Sequence, residues 1–212
     1  MKKFLSLLMV LALSLSLSAC SSEPKVEEEK QVEYTSYVRG VWTDNVYTNK
    51  HLGFSFTLPE NWVIASDEEL MTMLDTASED LSEDMKKKYD LAIEKAISFF
   101  DFAIFNVSTG ETVMLHVEDL TKNALGVLYT EDNYIDIVER DFKDSVDLEI
   151  EVYERSNVSF AFGKFRSMKI NIEDLMTQEY LVRKDGKYMI SFMLSYLNQY
   201  HEGVDSIVAQ LQ

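Results

Sequence analysis

A chain of 212 residues that is 46% hydrophobic, 12% aromatic and 27% charged, with 7 Gly and 2 Pro, has a globular composition and excludes collagen-like, low-complexity and wholly disordered readings. Its single Cys excludes a disulfide framework and any multi-cysteine zinc or iron–sulfur centre. The net charge of −17 opposes phosphate backbones, so nucleic acid is not an expected partner.

Residues 1–19 read as a signal peptide. Lys2 and Lys3 give a positive start, and Phe4 to Leu17 is an apolar run interrupted only by Ser6, Ser14 and Ser16. A spanning helix needs about twenty apolar residues; this run is shorter and fits export better. Leu17-Ser18-Ala19-Cys20 resembles the bacterial lipobox. In that family the Cys thiol receives a diacylglyceryl group and the chain is cut just before it. The resemblance implies that Cys20 is lipidated and becomes the first residue, on the extracytoplasmic face of the cell membrane. The alternative is an ordinary secretory signal with an incidental Cys. Loss of Lys2 and Lys3 with the leader takes the charge from −17 to −19. Each buried methylene is worth roughly 0.8 kcal/mol, so two acyl chains hold the membrane without help from protein charge. Lipidation also removes the one thiol from any catalytic role.

Residues 20–36 form the lipidated Cys and an acidic tether. Ser21 to Ser36 holds five Glu and two Lys and almost no apolar residue, too little to bury surface. It reads as a charged, extended spacer. A single α+β domain is expected over 37–212.

Val41 to Thr48 is expected as a strand, with a turn over Asn49 to Gly53. Phe54, Phe56 and Leu58 alternate with Ser55 and Thr57, the period of a half-buried strand. Pro59 to Trp62 breaks it, and Val63 to Ala65 resumes it briefly. Ser66 followed by Glu69 is a capping box for a helix with Leu70, Met71 and Leu74 on its apolar face. A second helix carries Met85, Tyr89, Ala92, Ile93, Ala96, Ile97 and Phe100, with Lys86 to Lys88 on its solvated side. Two strands follow, Phe102 to Asn106 and Thr112 to Glu118, around Ser108-Thr109-Gly110. Thr130 caps a helix whose stripe is Tyr134, Ile137, Val138 and Phe142. An antiparallel meander comes next. Leu148, Ile150 and Val152 alternate with Glu149 and Glu151, and Met168, Ile170 and Ile172 with Lys169 and Asn171. Tyr180 to Arg183 and Tyr188 to Tyr196 flank Asp185-Gly186, a strong hairpin signal. A last helix places Val204, Ile207, Val208 and Leu211 on one stripe. The expected fold is α+β, an α/β/α sandwich with a largely antiparallel sheet.

Tyr47-Thr48-Asn49 and the run Gly53 to Trp62 (GFSFTLPENW) resemble the opening of the PsbP/Mog1-like superfamily. The motif covers about sixteen residues and carries no partner-contacting residue with it. It implies an α/β/α sandwich and a binding module rather than an enzyme. In physical terms it reads as a folding signature, with Phe54, Phe56 and Leu58 seeding a core, Pro59 withdrawing a donor and Trp62 capping the core edge.

Chemistry is sparse. His51, His116 and His201 are far apart in sequence, and no H-E-x-x-H or G-x-S-x-G occurs. Asp132, Asp136 and Glu139 share a helix face without the Gly of a calcium loop. Glu79, Asp80, Glu83 and Asp84 form a second acidic cluster that could hold a divalent cation weakly. Neither a catalytic residue, a metal site nor a cofactor is expected. Tyr34, Tyr37 and Trp42 at the domain entrance could form an aromatic contact patch, against packing of the entrance itself. The expected function is a membrane-anchored, non-catalytic binding or assembly module for an envelope protein or component. The alternatives are a small-ligand or divalent-metal-binding module, or a wall hydrolase using two carboxylates.

Overall fold

The computed structural model describes residues 36–73, 98–123, 125–145 and 148–211. The leader, the lipobox Cys20, Tyr34, the helix expected around Met85 to Ile97 and the Glu79–Asp84 cluster lie outside those residues. A seven-stranded sheet, every pair antiparallel, runs in the order β4-β5-β6-β10-β9-β8-β7. Its strands are β4 (Trp62–Ile64), β5 (Ser98–Asn106), β6 (Thr112–Asp119), β7 (Ile150–Phe160), β8 (Gly163–Ile172), β9 (Met176–Asp185) and β10 (Tyr188–Leu197). A second sheet holds β1 (Val41–Thr43), β2 (Val46–Asn49) and β3 (Phe54–Thr57) in sequence order. Three helices complete the described fold: α1 (Asp67–Met73), α2 (Glu131–Ser145) and α3 (Glu202–Gln210). No helix among the described residues is long and apolar enough to cross a membrane.

Both faces of the large sheet are buried over its central strands, while the edge strand β7 is largely exposed. Helices α1 and α2 cover one, over Phe100, Met114, Met168, Tyr180 and Met189. The small sheet and α3 cover the other, over Phe102, Leu115, Phe165, Phe192 and Leu194. The expected α+β sandwich is therefore present, with its second outer layer shared between strands and a helix. Burial on both faces explains why β6, Thr112–Asp119, is buried along its whole length instead of alternating.

Local signals act as their chemistry dictates. The Ser66 hydroxyl accepts from the Glu69 amide at 3.3 Å, and the Glu69 carboxylate accepts from the Ser66 amide at 2.7 Å, a closed capping box on α1. Thr130 caps α2, with Asn133 returning the second bond. Tyr134, Ile135, Val138 and Phe142 form its buried stripe, Ile135 taking the place expected for Ile137, which is only half-buried.

The boundaries depart from expectation in three places. The stretch 41–48 is two strands, because Asp44 takes a left-handed backbone, φ 53°, and folds β1 onto β2. Phe99 and Phe100 belong to β5 and not to a helix, since strand β6 is there to pair with them. Strands β7 and β8 meet at a turn over Ala161 and Phe162, far beyond the alternating segments seen in the sequence. Strand β7 is a sheet edge, so its middle can be polar without breaking the ladder.

Candidate functional site

The pairing of β5 with β6 carries one irregularity, and a buried acid with several hydrogen-bond partners sits there. Phe100 faces His116 and Phe102 faces Leu115, so Asp101 is the extra residue of a β-bulge. The bulge resets the alternation: Phe99 and Phe102 both reach the small-sheet core, while Phe100 and Ala103 reach the helical core. Asp101 is 1% exposed. An isolated carboxylate at that depth would be costly, and hydrogen bonds must compensate.

They come from the domain entrance and from the small sheet. The Tyr37 hydroxyl donates to Asp101 Oδ2 at 2.5 Å, Asn49 Nδ2 to the same oxygen at 2.8 Å, and the Gly40 amide to Oδ1 at 3.0 Å. Arg39 donates Nε to the Asp101 carbonyl at 2.8 Å and pairs with Asp67 of α1 at 2.8 Å. Asn49 Nδ2 also reaches the Tyr37 hydroxyl at 2.8 Å, and its Oδ1 accepts from the Leu52 amide at 2.8 Å. Gly40 lies where a Cβ would stand 2.1 Å from the Tyr47 hydroxyl, so no other residue fits without moving that ring. The Tyr-x-Asn half of the sequence motif thus has a physical role: Tyr47 and Asn49 are both fully buried and organise the acid.

Burial raises the Asp101 pKa, opposed by the Tyr37 hydroxyl and by the Arg39 charge. Tyr37 and Tyr47 are pushed far above the ordinary phenol range, first by burial and then by the negative charge of Asp101. The two hydroxyls stay protonated, as donors to an acid that is already saturated with partners. This arrangement fastens the entrance segment to the sheet; it presents no reactive atom.

Of the expected aromatic patch, Tyr37 and Trp42 are half-buried over the small-sheet core. Tyr37 stands 5.6 Å from Tyr188 and 4.6 Å from His51, ring to ring, and its amide donates to the Tyr188 hydroxyl at 2.9 Å. Trp42 packs edge-on against Phe56 at 5.5 Å and lies 5.1 Å from Tyr47.

A second buried polar group lies on the helical face. Glu118 accepts from the Tyr134 hydroxyl of α2 at 2.9 Å. Burial raises both pKa values, that of Tyr134 further because of the Glu118 charge. Beside them the Nδ1 of His116, the Oγ of Ser191 and the Tyr180 hydroxyl close no hydrogen bond of normal geometry. His116 faces Phe100, and burial depresses its pKa from 6.5 to about 4. The fold therefore requires the neutral ring. That contribution is complete above the unfolded value of 6.5 and is lost as pH falls toward about 4, a difference of about 3 kcal/mol. Denaturant titrations at pH 7 and pH 4 should show the wild type losing about 3 kcal/mol more than His116→Leu across that interval. Equal losses would show that the ring charges in the folded state. The raised acids Asp101 and Glu118 act with the opposite sign, equally in both chains.

A third buried acid, Glu111, caps α3 from a distance. Its Oε1 accepts from the Val204 amide at 3.0 Å and Oε2 from the Thr109 hydroxyl at 2.6 Å. A Cβ at Gly203 would stand 2.7 Å from the carboxylate, so the close approach needs glycine. The negative charge meets the positive end of the helix dipole.

The histidines do not converge. His51 is 3.7 Å from Asp185 and His201 is 2.7 Å from Asp205, while His116 is in the core. No metal-holding group of three His, Cys, Asp or Glu occurs among the described residues. The acidic face of α2 is met by arginines of the sheet, Asp132 by Arg166 at 2.7 Å, Asp136 by Arg155 at 2.7 Å and Glu139 by Arg155, and Glu139 also pairs with Lys143 of α2 itself.

No protein-family model matches the chain. No curated protein matches it either. Among solved structures it is similar to the solution structure of cyanobacterial PsbP (CyanoP) from Synechocystis sp. PCC 6803, at 12% identity and a TM-score of 0.45, over 85% of this chain and 96% of that one.

Proposed function

We propose that this chain is an extracytoplasmic lipoprotein, held to the cell membrane by a diacylated Cys20, that binds another envelope component without catalysing a reaction. The observation that carries the reading is the ordered trio of Lys2-Lys3, the apolar run to Leu17 and Leu17-Ser18-Ala19-Cys20. Support for binding over catalysis comes from how the buried ionisable groups are used. Asp101 and Glu111 are engaged by several internal donors each, and Glu118 by Tyr134. The aromatic contact at Tyr34, Tyr37 and Trp42 belongs to this proposal. Chemical crosslinking in the native membrane, followed by identification of the attached component, tests it.

The anchor has its own test. Cys20→Ala should yield a precursor that incorporates no labelled fatty acid and keeps its leader. Intact-mass measurement of the wild type should find Cys20 as the first residue, carrying a diacylglyceryl group. A wild-type mass with unmodified sulfur would overturn the reading.

A further inference from the structure

The two ends of the large sheet differ in chemistry. At one end β9 turns into β10 and β6 leads into two 3-10 turns, Leu120–Lys122 and Gly126–Leu128. The second turn exposes three large apolar side chains: Leu125 at 61%, Val127 at 52% and Leu128 at 71%. Lys184 holds this turn in place, donating Nζ to the Val127 carbonyl at 2.9 Å and the Tyr129 carbonyl at 2.8 Å. Lys50, beside the His51 that meets Asp185, Lys122 in the first turn, Lys164 at the start of β8 and Lys187 stand at the same end, Lys187 facing Asp119. At the opposite end, the β8–β9 turn and the start of α3 carry Glu173, Asp174, Glu202 and Asp205.

The chain enters the domain at the lysine-bearing end, because the Tyr37 amide is bonded to Tyr188 at the start of β10. We infer that this end rests on a bilayer containing anionic lipids, with Leu125, Val127 and Leu128 entering the headgroup region and the surrounding lysines facing the phosphates. The inference rests on the lipid-anchor reading, since seventeen residues from Cys20 to Ser36 then keep the domain above lipid at an effective concentration on the order of millimolar. At that concentration a contact too weak to recruit a free protein is populated. The charge of the mature chain, −17 less the two leader lysines or −19, does not forbid it. Ten-residue strands separate the two ends by about 33 Å, several times the screening length of about 8–10 Å. The membrane therefore senses this end and not the far acids. Of the acids at this end, Asp119 is paired with Lys187, Asp185 with Arg183 and Asp132 with Arg166, while Glu131 accepts from the Lys184 amide. The spacer's five Glu oppose close approach, so the apolar side chains must contribute as well.

The test uses the lipidated mature chain in vesicles of phosphatidylcholine with or without 30% phosphatidylglycerol (about one lipid in three). A tryptophan is placed at the turn, Leu128→Trp, or at the opposite end, Leu175→Trp, with the parent chain as baseline. Brominated lipids should quench the added Leu128→Trp emission by about half and leave Leu175→Trp unquenched. The quenching should weaken without phosphatidylglycerol. A chain that floats with vesicles while neither tryptophan is quenched overturns the inference and leaves the anchor intact. Equal quenching with and without anionic lipid overturns the assignment of the lysines. A wild-type chain that neither floats nor carries acyl mass overturns the anchor and, with it, this orientation.

Discussion

Asp101→Ala is expected to destabilise the domain by roughly 3–5 kcal/mol, the range for removing one partner of a buried charged network. The substitution leaves the Tyr37 hydroxyl, the Asn49 amide and the Gly40 N–H buried without their acceptor. Each such orphan costs about 1–3 kcal/mol. Part of that loss is recovered because the carboxylate itself no longer has to be buried. Asp101→Asn keeps the volume but offers an amide donor where Tyr37 and Asn49 already donate, so it should fall between wild type and Asp101→Ala. The fold also says where the damage appears. Residues 37–40 are fastened to the large sheet mainly through Asp101, so hydrogen exchange at the Gly40 amide should accelerate more than exchange in β8 or β9. Equilibrium denaturation measures the global term and exchange the local one. A variant within about 0.5 kcal/mol of wild type, with Gly40 still protected, would show that the clamp is dispensable.

That acid could not have been singled out from the sequence. In Phe99-Phe100-Asp101-Phe102 the spacing puts Phe100 on a helical stripe from Met85 onward and starts a strand only at Phe102, so Asp101 falls in the gap between them. What decides is β6, which lies alongside and pairs with them, and that partner is non-local. The bulge that turns Asp101 inward exists only in the pairing register. Glu111 escaped notice for the same reason, since its partner Val204 is ninety-three positions away. The legible features are those whose chemistry closes within a few residues. Ser66 with Glu69, Thr130 with Asn133, the Phe54–Phe56 alternation and the Asp185-Gly186 turn all act at short range. Strand β7 shows the limit. Its apolar start at Ile150 and Val152 is readable, but Arg155 to Asn157 give no strand signal and are held there by β8 alone. The Tyr47-Thr48-Asn49 motif was legible as a marker before its role was. Only the structure shows that Asn49 joins the small sheet to Asp101 and Tyr37.

Trp62→Ala should cost about 3–5 kcal/mol, the range for deleting a buried indole. The ring is 6% exposed and belongs to the small-sheet core. It lies on β4, at the edge of the large sheet, where Trp62 pairs with Asn106. Its Cζ2 would touch a Cβ at Gly203 at 3.0 Å, so the indole packs directly beneath the first turn of α3. Truncation opens a cavity next to the Glu111 carboxylate that receives the Val204 amide. Two losses then combine, apolar packing and the shielding of a helix cap. In a domain of this size each kilocalorie moves the melting temperature by about 2–4 °C, so the midpoint should fall by about 6–20 °C. Trp62→Phe fills most of the same space and should lose less than half as much. The pair separates packing from any surface role for the indole. A buried ring gives a graded loss in which Phe lies between Trp and Ala. An unchanged melting temperature in Trp62→Ala would mean that the indole is solvent-facing and that α3 is seated by Val204, Ile207 and Leu211 alone.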